Sequence, residues 1–308
     1  MNPLSKRRYY RSLSPLISPG LLPQGLDATL LFGREAPLEL EIGFGNGEYL
    51  SRHSLKFPER DFIGVEIAWP SVKRALRRLG APPRENVRIV CLPAWPVLKK
   101  LFKEESLTVV RALYPVPWPK HPSKRLFSQG FLNLIASRLK ADGIFHMVTD
   151  DLELAKWTME EGEGSALSLT LSEEGSILNT KYERKWEESG KLRFYHLKGR
   201  KTTEPHIPKP YGGPMKPHYL KDLEPSSYRP RGANGDITVV FREFIFDGDK
   251  RQGLLNCKVV EDSFVQEFFI RVKEVEDGLW KLYPALSERV FPTEGVELSL
   301  KLAALEET

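Results

Sequence analysis

Between residues 41 and 47 the chain reads Glu41-Ile-Gly43-Phe-Gly45-Asn-Gly47. Three glycines at alternate positions strip the side chains from one short stretch, so a ligand can lie directly against the backbone. A dinucleotide fingerprint needs glycines at its first, third and sixth places; here Gly47 is fifth and Glu48 holds the sixth. Glu66, at the end of the next apolar run, offers a carboxylate that can take two ribose hydroxyls. The competing reading is a surface acid at a strand end. Further on stands Tyr-Pro-Val-Pro-Trp-Pro-Lys, residues 114–120. Its three prolines fix φ, remove backbone donors and push their neighbours toward extended geometry. This is a stiff loop that presents Tyr114, Trp118 and Lys120.

These residues need a frame that brings them together, and the pattern from 38 to about 157 supplies one. Apolar runs at 38–43, 61–67, 86–92, 107–114 and 144–150 read as strands. Between and after them, 45–57, 69–80, 94–105, 128–143 and 151–161 read as helices, with Pro70 in a first turn and Gly80 and Gly143 as stops. Alternation of this kind predicts a parallel sheet covered on both faces, with ligands at the carboxyl ends of the strands. Residues 165–197 read as two or three further strands added at an edge. Proline and glycine dominate 202–235, and from 236 the period becomes that of a small strand-rich α+β domain.

The 308 residues carry a net charge of +5, a mild lean toward polyanionic partners. The local clusters say more: Lys6-Arg7-Arg8 followed by Tyr9-Tyr10-Arg11, Lys73-Arg74, Arg77-Arg78, Lys99-Lys100, Lys124-Arg125 and Lys198 with Arg200-Lys201. Each is either a solvated face or a phosphate contact, and the first, with its aromatics, suits RNA best. The two cysteines, Cys91 and Cys257, lie far apart and suggest neither a disulfide framework nor a metal site, which points to a reducing cytoplasm. No apolar run is long enough for a membrane span, and the basic N-terminus lacks the apolar core of a signal peptide.

An acid before Gly-x-Gly-x-Gly, with a second acid ending the next strand, resembles the S-adenosyl-L-methionine site of class I methyltransferases. Tyr114–Lys120, then His121-Pro-Ser-Lys-Arg125, Thr149-Asp150 and Thr180-Lys-Tyr-Glu183-Arg together resemble the tRNA (guanine-N7)-methyltransferase family, over residues 37–198. The resemblance implies an α/β fold: a Rossmann-like class I methyltransferase domain, mostly parallel sheet with helices on both faces, joined to a small C-terminal α+β domain. The expected organisation is a basic arm at 1–36, the methyltransferase domain at 37–200, a Pro/Gly-rich linker at 201–235 and a strand-rich domain at 236–308.

By the same resemblance Glu41, Gly43, Gly45, Gly47 and Glu66 hold S-adenosyl-L-methionine. Trp118, Lys120, His121, Arg125, Asp150, Thr180 and Glu183 meet the tRNA, and Asp150 and Glu183 stabilise charge on a variable-loop guanine. Two departures stand out. The family's loop aspartate is Val116 here, and an expected Asp-Ala pair is Pro93-Ala94. The valine leaves open a non-catalytic RNA-binding relative, or a class I methyltransferase for another RNA site. Trp118 can alternatively cap the core, and Thr149-Asp150 can simply cap the following helix.

Overall fold

The computed structural model describes residues 12–18, 27–80, 84–175, 178, 180, 183, 184, 188, 190, 193–205, 207, 215–261, 264–286 and 290–306. The Lys6–Arg11 arm lies outside them. The chain divides into two compact units, Met1–Ile17 with Gly25–Pro208, and Ser18–Gln24 with Lys209–Thr308.

The first unit is built on an eight-stranded sheet. Its strands are β1 (Leu16–Ile17), β2 (Leu38–Ile42), β3 (Asp61–Val65), β4 (Val87–Val90), β5 (Leu107–Leu113), β6 (Leu139–Thr149), β7 (Leu167–Glu174) and β8 (Phe194–Lys201). They lie in the order β1-β4-β3-β2-β5-β6-β8-β7. The pairs from β1 to β6 are parallel, while β8 runs antiparallel to both β6 and β7. Every residue of β2 and β3 is buried, as both-face coverage requires. The winding reverses between β2 and β5, so their carboxyl ends flank the crevice where such sheets take ligands.

The helices are α1 (Ala28–Phe32), α2 (Glu48–Lys56), α3 (Trp69–Leu79), α4 (Ala94–Leu101), α5 (Gln129–Arg138) and α6 (Leu152–Glu163). In α3, Val72, Ala75, Leu76 and Leu79 recur at helical spacing and are buried; Pro70 sits in the first turn and Gly80 follows the last.

The expected helix at 128–143 ends early, at Arg138, and β6 begins at once. Arg138 is buried there and donates to the Leu98 and Lys99 carbonyls of α4, satisfying acceptors that a helix end leaves open. Gly143 is therefore not a helix stop. It lies where the register between β5 and β6 shifts, and a Cβ there would sit 2.9 Å from the Lys140 carbonyl oxygen and 3.1 Å from that of Leu107.

The second unit is a five-stranded antiparallel sheet of β9 (His218–Lys221), β10 (Ile237–Asp247), β11 (Gln252–Glu261), β12 (Phe264–Glu276) and β13 (Leu279–Pro284), in the order β10-β11-β12-β13-β9. Helix α7 (Glu294–Ala303) covers one face, packing Leu300 and Ala303 with Leu255, Cys257, Val272, Trp280 and Leu282. The Pro/Gly-rich segment does more than link: it contributes β9, and its Tyr228 is buried with the hydroxyl donating to the Ala303 carbonyl.

Candidate active site

The turn after β2 uses its glycines for their conformational freedom. Gly43, Gly45 and Gly47 have φ of 72°, 55° and 70°, all left-handed. The space where a Cβ would stand on Gly43 or Gly45 is open, so those two positions offer bare backbone. Gly47 differs: a Cβ there would lie 2.7 Å from that of Ala75, so this glycine lets α2 close on α3. Glu66 follows β3 and is locked by two amides, accepting from Gly45 N at 3.0 Å and Ala68 N at 2.9 Å. Its carboxylate is thereby oriented beside the glycine turn.

Glu39 and Glu41 point to the same face of β2 and are both buried, yet they meet opposite environments. Glu39 accepts from Arg60 at 2.6 Å and Arg111 at 2.8 Å, with His53 at 3.5 Å. Burial alone would raise its pKa; these three partners outweigh it and hold the carboxyl down at about 2. Glu41 has no such cage. Burial pushes it up to about 8, Arg111 offsets this in part, and the Glu66 charge adds to it. Its Oε2 is buried without a hydrogen-bond partner and the residue lines the cleft above the glycine turn. A buried acceptor aimed into a cleft, bare backbone beside it and a fixed carboxylate fit a nucleoside ligand that carries a cation. Pro93 occupies the N-cap of α4 and makes no side-chain cap bond, so it supplies no carboxylate to such a ligand.

The other wall of the cleft comes from the end of β5, with Leu113 and Tyr114, and from Thr180. Tyr114 follows β5 directly, with φ of 56°, and donates its amide to the Val148 carbonyl at 2.7 Å. Trp118 has φ of 46°, closes a turn by accepting from His121 N at 3.0 Å, and carries Lys124 Nζ 5.1 Å above its ring. It is 38% exposed and so no core cap, while Val116 is 62% exposed and packs into nothing essential. Lys120 and His121 are exposed beside it. Arg125, expected to meet RNA, is turned inward instead. Its guanidinium is 3% exposed, donates to the Pro117 carbonyl at 2.9 Å and pairs with Glu153, which makes it a brace for the loop.

At the end of β6 the helix cap falls one residue beyond the expected pair. Asp151 accepts from Leu154 N at 2.7 Å and caps α6, and Thr149 Oγ1 accepts from Asp151 N. Asp150 is therefore not consumed as a cap, and its charge acts on Tyr114. Thr180 and Glu183 form a capping box: Glu183 accepts from Thr180 N at 2.6 Å and returns its own amide to Thr180 Oγ1 at 3.2 Å. Glu183 also accepts from Leu178 N at 3.2 Å and is fully buried. Burial, with the Glu183 charge and hydrogen bond next, holds the Tyr114 phenol far above its usual pKa, so it stays a protonated donor. Glu183 thus shapes the 178–183 segment instead of opening onto the cleft.

Sequence reasoning missed what fastens this segment. Arg52 on α2 donates to the Leu178 carbonyl at 2.7 Å, and Arg184 pairs with Glu48 at 2.6 Å. Arg184 ends the Thr180-Lys-Tyr-Glu183-Arg motif without a role assigned to it, and only the contacts of α2 with Leu178 and Arg184 reveal what the two arginines fasten. As a result one cleft is lined by Glu41, Gly43 and Gly45 on one side and by Tyr114 and Thr180 on the other.

A parallel sheet with an antiparallel β8 inserted between β6 and the edge strand β7, a glycine turn after its central strand and a carboxylate after the next define a class I methyltransferase, an enzyme whose cofactor is S-adenosylmethionine. The chain belongs to the tRNA (guanine-N(7)-)-methyltransferase family, and residues 35–195 match the family model Methyltransf_4, described as "Putative methyltransferase". A tRNA (guanine-N(7)-)-methyltransferase of Nitrosococcus oceani is 36% identical over 170 residues, 54% of this chain and 72% of that protein. One of Thermotoga maritima is 29% identical over 294 residues, 90% of this chain and 91% of that protein. Among solved structures, the 16S rRNA methyltransferase KamB aligns with 61% of this chain and 99% of its own at 12% identity and a TM-score of 0.47. No described helix is long and apolar enough to cross a membrane, and no described cluster of His, Cys, Asp and Glu could hold a metal ion.

Proposed function

We propose that this chain methylates N7 of a guanine in the tRNA variable loop, and that Val116 leaves the chemistry intact. The observation that carries this reading is the single cleft with the glycine turn on one wall and Tyr114 and Thr180 on the other. Bound there, S-adenosylmethionine supplies an electrophilic methyl on a sulfonium. Glu66 takes the ribose hydroxyls, the bare backbone at Gly43 and Gly45 admits the chain of the ligand, and Glu41 faces its cationic end.

Guanine N7 carries a free lone pair, so no proton leaves before attack and no general base is needed. S-adenosylmethionine would supply the methyl, its S–CH3 bond exchanged for an N7–CH3 bond, and the positive charge would pass from sulfur to the purine ring. The residues present can do two things for such a step. Trp118 and Lys120 hold the guanine and its phosphate in line, and positioning of this kind is worth up to roughly 7–11 kcal/mol of barrier. Asp150, whose charge acts on Tyr114 of the cleft wall, is the carboxylate that would favour the cationic ring. Tyr114, Thr180 and Glu183 set the cleft wall. An exposed valine in the loop then subtracts one electrostatic contribution and leaves both devices in place.

The test is transfer of labelled methyl from S-adenosylmethionine to unmodified tRNA, with N7-methylguanine mapped along the RNA, for the chain and for Val116→Asp. Both proteins are expected to label one variable-loop guanine. A silent parent rescued by the aspartate would show that the valine marks lost chemistry, and label elsewhere in the tRNA would reassign the site.

A further inference from the structure

One face of the C-terminal sheet packs on α7; the opposite face carries an unusual set of residues. Strand register places them in rows. Arg271 stands opposite Tyr283, Lys273 opposite Lys281, Lys281 opposite Tyr219, and Leu279 opposite Lys221. These side chains alternate with the buried Ile270, Val272, Trp280 and Leu282, so they share the outer side of β12, β13 and β9. Tyr219 is 48% exposed and Lys221 and Lys273 are exposed. The Lys281 ammonium lies 5.6 Å from the Tyr283 ring.

No carboxylate among the described residues pairs with Lys221, Lys273 or Lys281. The acids of β12 are engaged elsewhere: Glu267 with Arg242 and Glu274 with Arg251, with Glu276 at the hairpin end. Two like charges directly opposite on paired strands repel and weaken a sheet. Lys273 opposite Lys281 is therefore a local cost of the folded unit, which a bound polyanion would relieve. Exposed tyrosine among cations on an antiparallel sheet is suited to RNA in particular, because phosphates meet the ammonium groups while an unstacked base lies on the ring. An acidic protein would satisfy the charges but would leave Tyr219 without a stacking partner.

We propose that this half of the sheet is a second RNA-contacting surface, with Lys221, Arg271, Lys273 and Lys281 holding phosphates and Tyr219 an exposed base. That the RNA is tRNA rests on the proposed function; that the surface binds RNA does not. The other half of the same face mixes exposed Val240, Ile245, Val265 and Phe269 with Lys258 and the Arg242–Glu267 ion pair, and forms no part of the proposal.

The experiment uses the full chain and unmodified tRNA and measures affinity against salt concentration, with thermal melting and methyl transfer read separately. Lys281→Glu puts an acid opposite Lys273. It is expected to keep or raise the melting temperature while weakening tRNA binding about tenfold and lowering the slope of log K against log salt by about 1. A stability gain coupled to an affinity loss is something a structural role for Lys281 does not produce. The doubly neutral Lys273→Gln/Lys281→Gln is the second variant, expected to give a similar affinity loss without a new acid; Tyr219→Ala is expected to weaken binding with the salt slope unchanged. Unchanged affinity and slope in both lysine variants would overturn the proposal. So would variants that alter self-association of the free protein and leave RNA binding intact. Loss of tRNA binding in a chain that proves to have no methyl-transfer activity would still support the surface, which separates failure of this inference from failure of the functional reading.

Discussion

Two turns follow neighbouring parallel strands, one after β2 and one after β5, and both enter the left-handed region. The first does so with Gly43, Gly45 and Gly47, which adopt it freely; the second does so with Tyr114 and Trp118, at φ of 56° and 46°. A side chain in that conformation costs about 1–2 kcal/mol per residue. The first turn thus leaves side-chain-free backbone open at Gly43 and Gly45, and the second holds two aromatic side chains in a strained conformation. Pro115, Pro117 and Pro119 restrict the alternatives open to the second turn, and buried Arg125 pins it through the Pro117 carbonyl. The contrast is between open backbone in one turn and strained side chains in the other, so on the proposed function substitutions should have different signatures in each.

The largest expected effect is on the acceptor side. Asp150→Ala should lower the single-turnover methylation rate about 100- to 1,000-fold with cofactor affinity nearly unchanged, since a group that acts on developing charge is worth that much. On the glycine side the signature is reversed: Gly47→Ala adds both an overlap with Ala75 and a strained φ, and should cost about 2–4 kcal/mol of stability in denaturant melts.

A smaller effect separates the two buried acids of β2. Glu41 is held up to about 8 in the folded chain from an ordinary 4.5, so the fold binds its proton more tightly than the unfolded chain does. The stability this contributes is full below pH 4.5 and is lost as pH rises through 8. Glu39, held at about 2, contributes the opposite way: its share is present above 4.5 and is lost as pH falls through 2. Glu41→Gln should therefore remove the alkaline loss, raising stability at pH 8.5 by about 2 kcal/mol relative to the parent in pH-resolved melts, while weakening cofactor binding. A parent whose stability is flat from pH 5 to 8.5 would show that water reaches Glu41.

Trp118→Gly relieves a left-handed side chain and should stabilise by about 0.5–1 kcal/mol while tRNA methylation falls about tenfold, the trade expected of strain kept for recognition. Equal losses of stability and activity would make Trp118 a structural residue after all. Val116→Asp should change the rate least, by less than about tenfold, since positioning remains intact in both forms.

How much of this was legible in the sequence follows from range. The glycine turn, Glu66 and the alternation of strands and helices were readable because each is a local pattern. The stiff loop was readable from its prolines, yet its left-handed tyrosine and tryptophan were not, because nothing in a residue's type announces strain. Arg125 read as part of a basic run; only the fold shows that Pro117 and Glu153 draw it inside. Glu183 read as a site carboxylate, and the Thr-x-x-Glu spacing that makes it a capping box was present in the same four residues. Arg52 and Arg184 join segments far apart in the chain, so no local pattern marked that role. Gly143 looked like a helix stop because glycine follows helices often, whereas its role is a close approach between neighbouring strands.

The most direct test of the central claim uses two tRNAs, one unmodified and one carrying 7-deazaguanine in place of the variable-loop guanine, with labelled S-adenosylmethionine and the parent chain. The account predicts rapid labelling of the first and none of the second, with both RNAs bound. Label on the deaza RNA would mean that another atom is the acceptor, and no label on either, with cofactor and tRNA both bound, would mean that a chain with valine at 116 holds its ligands without performing the transfer.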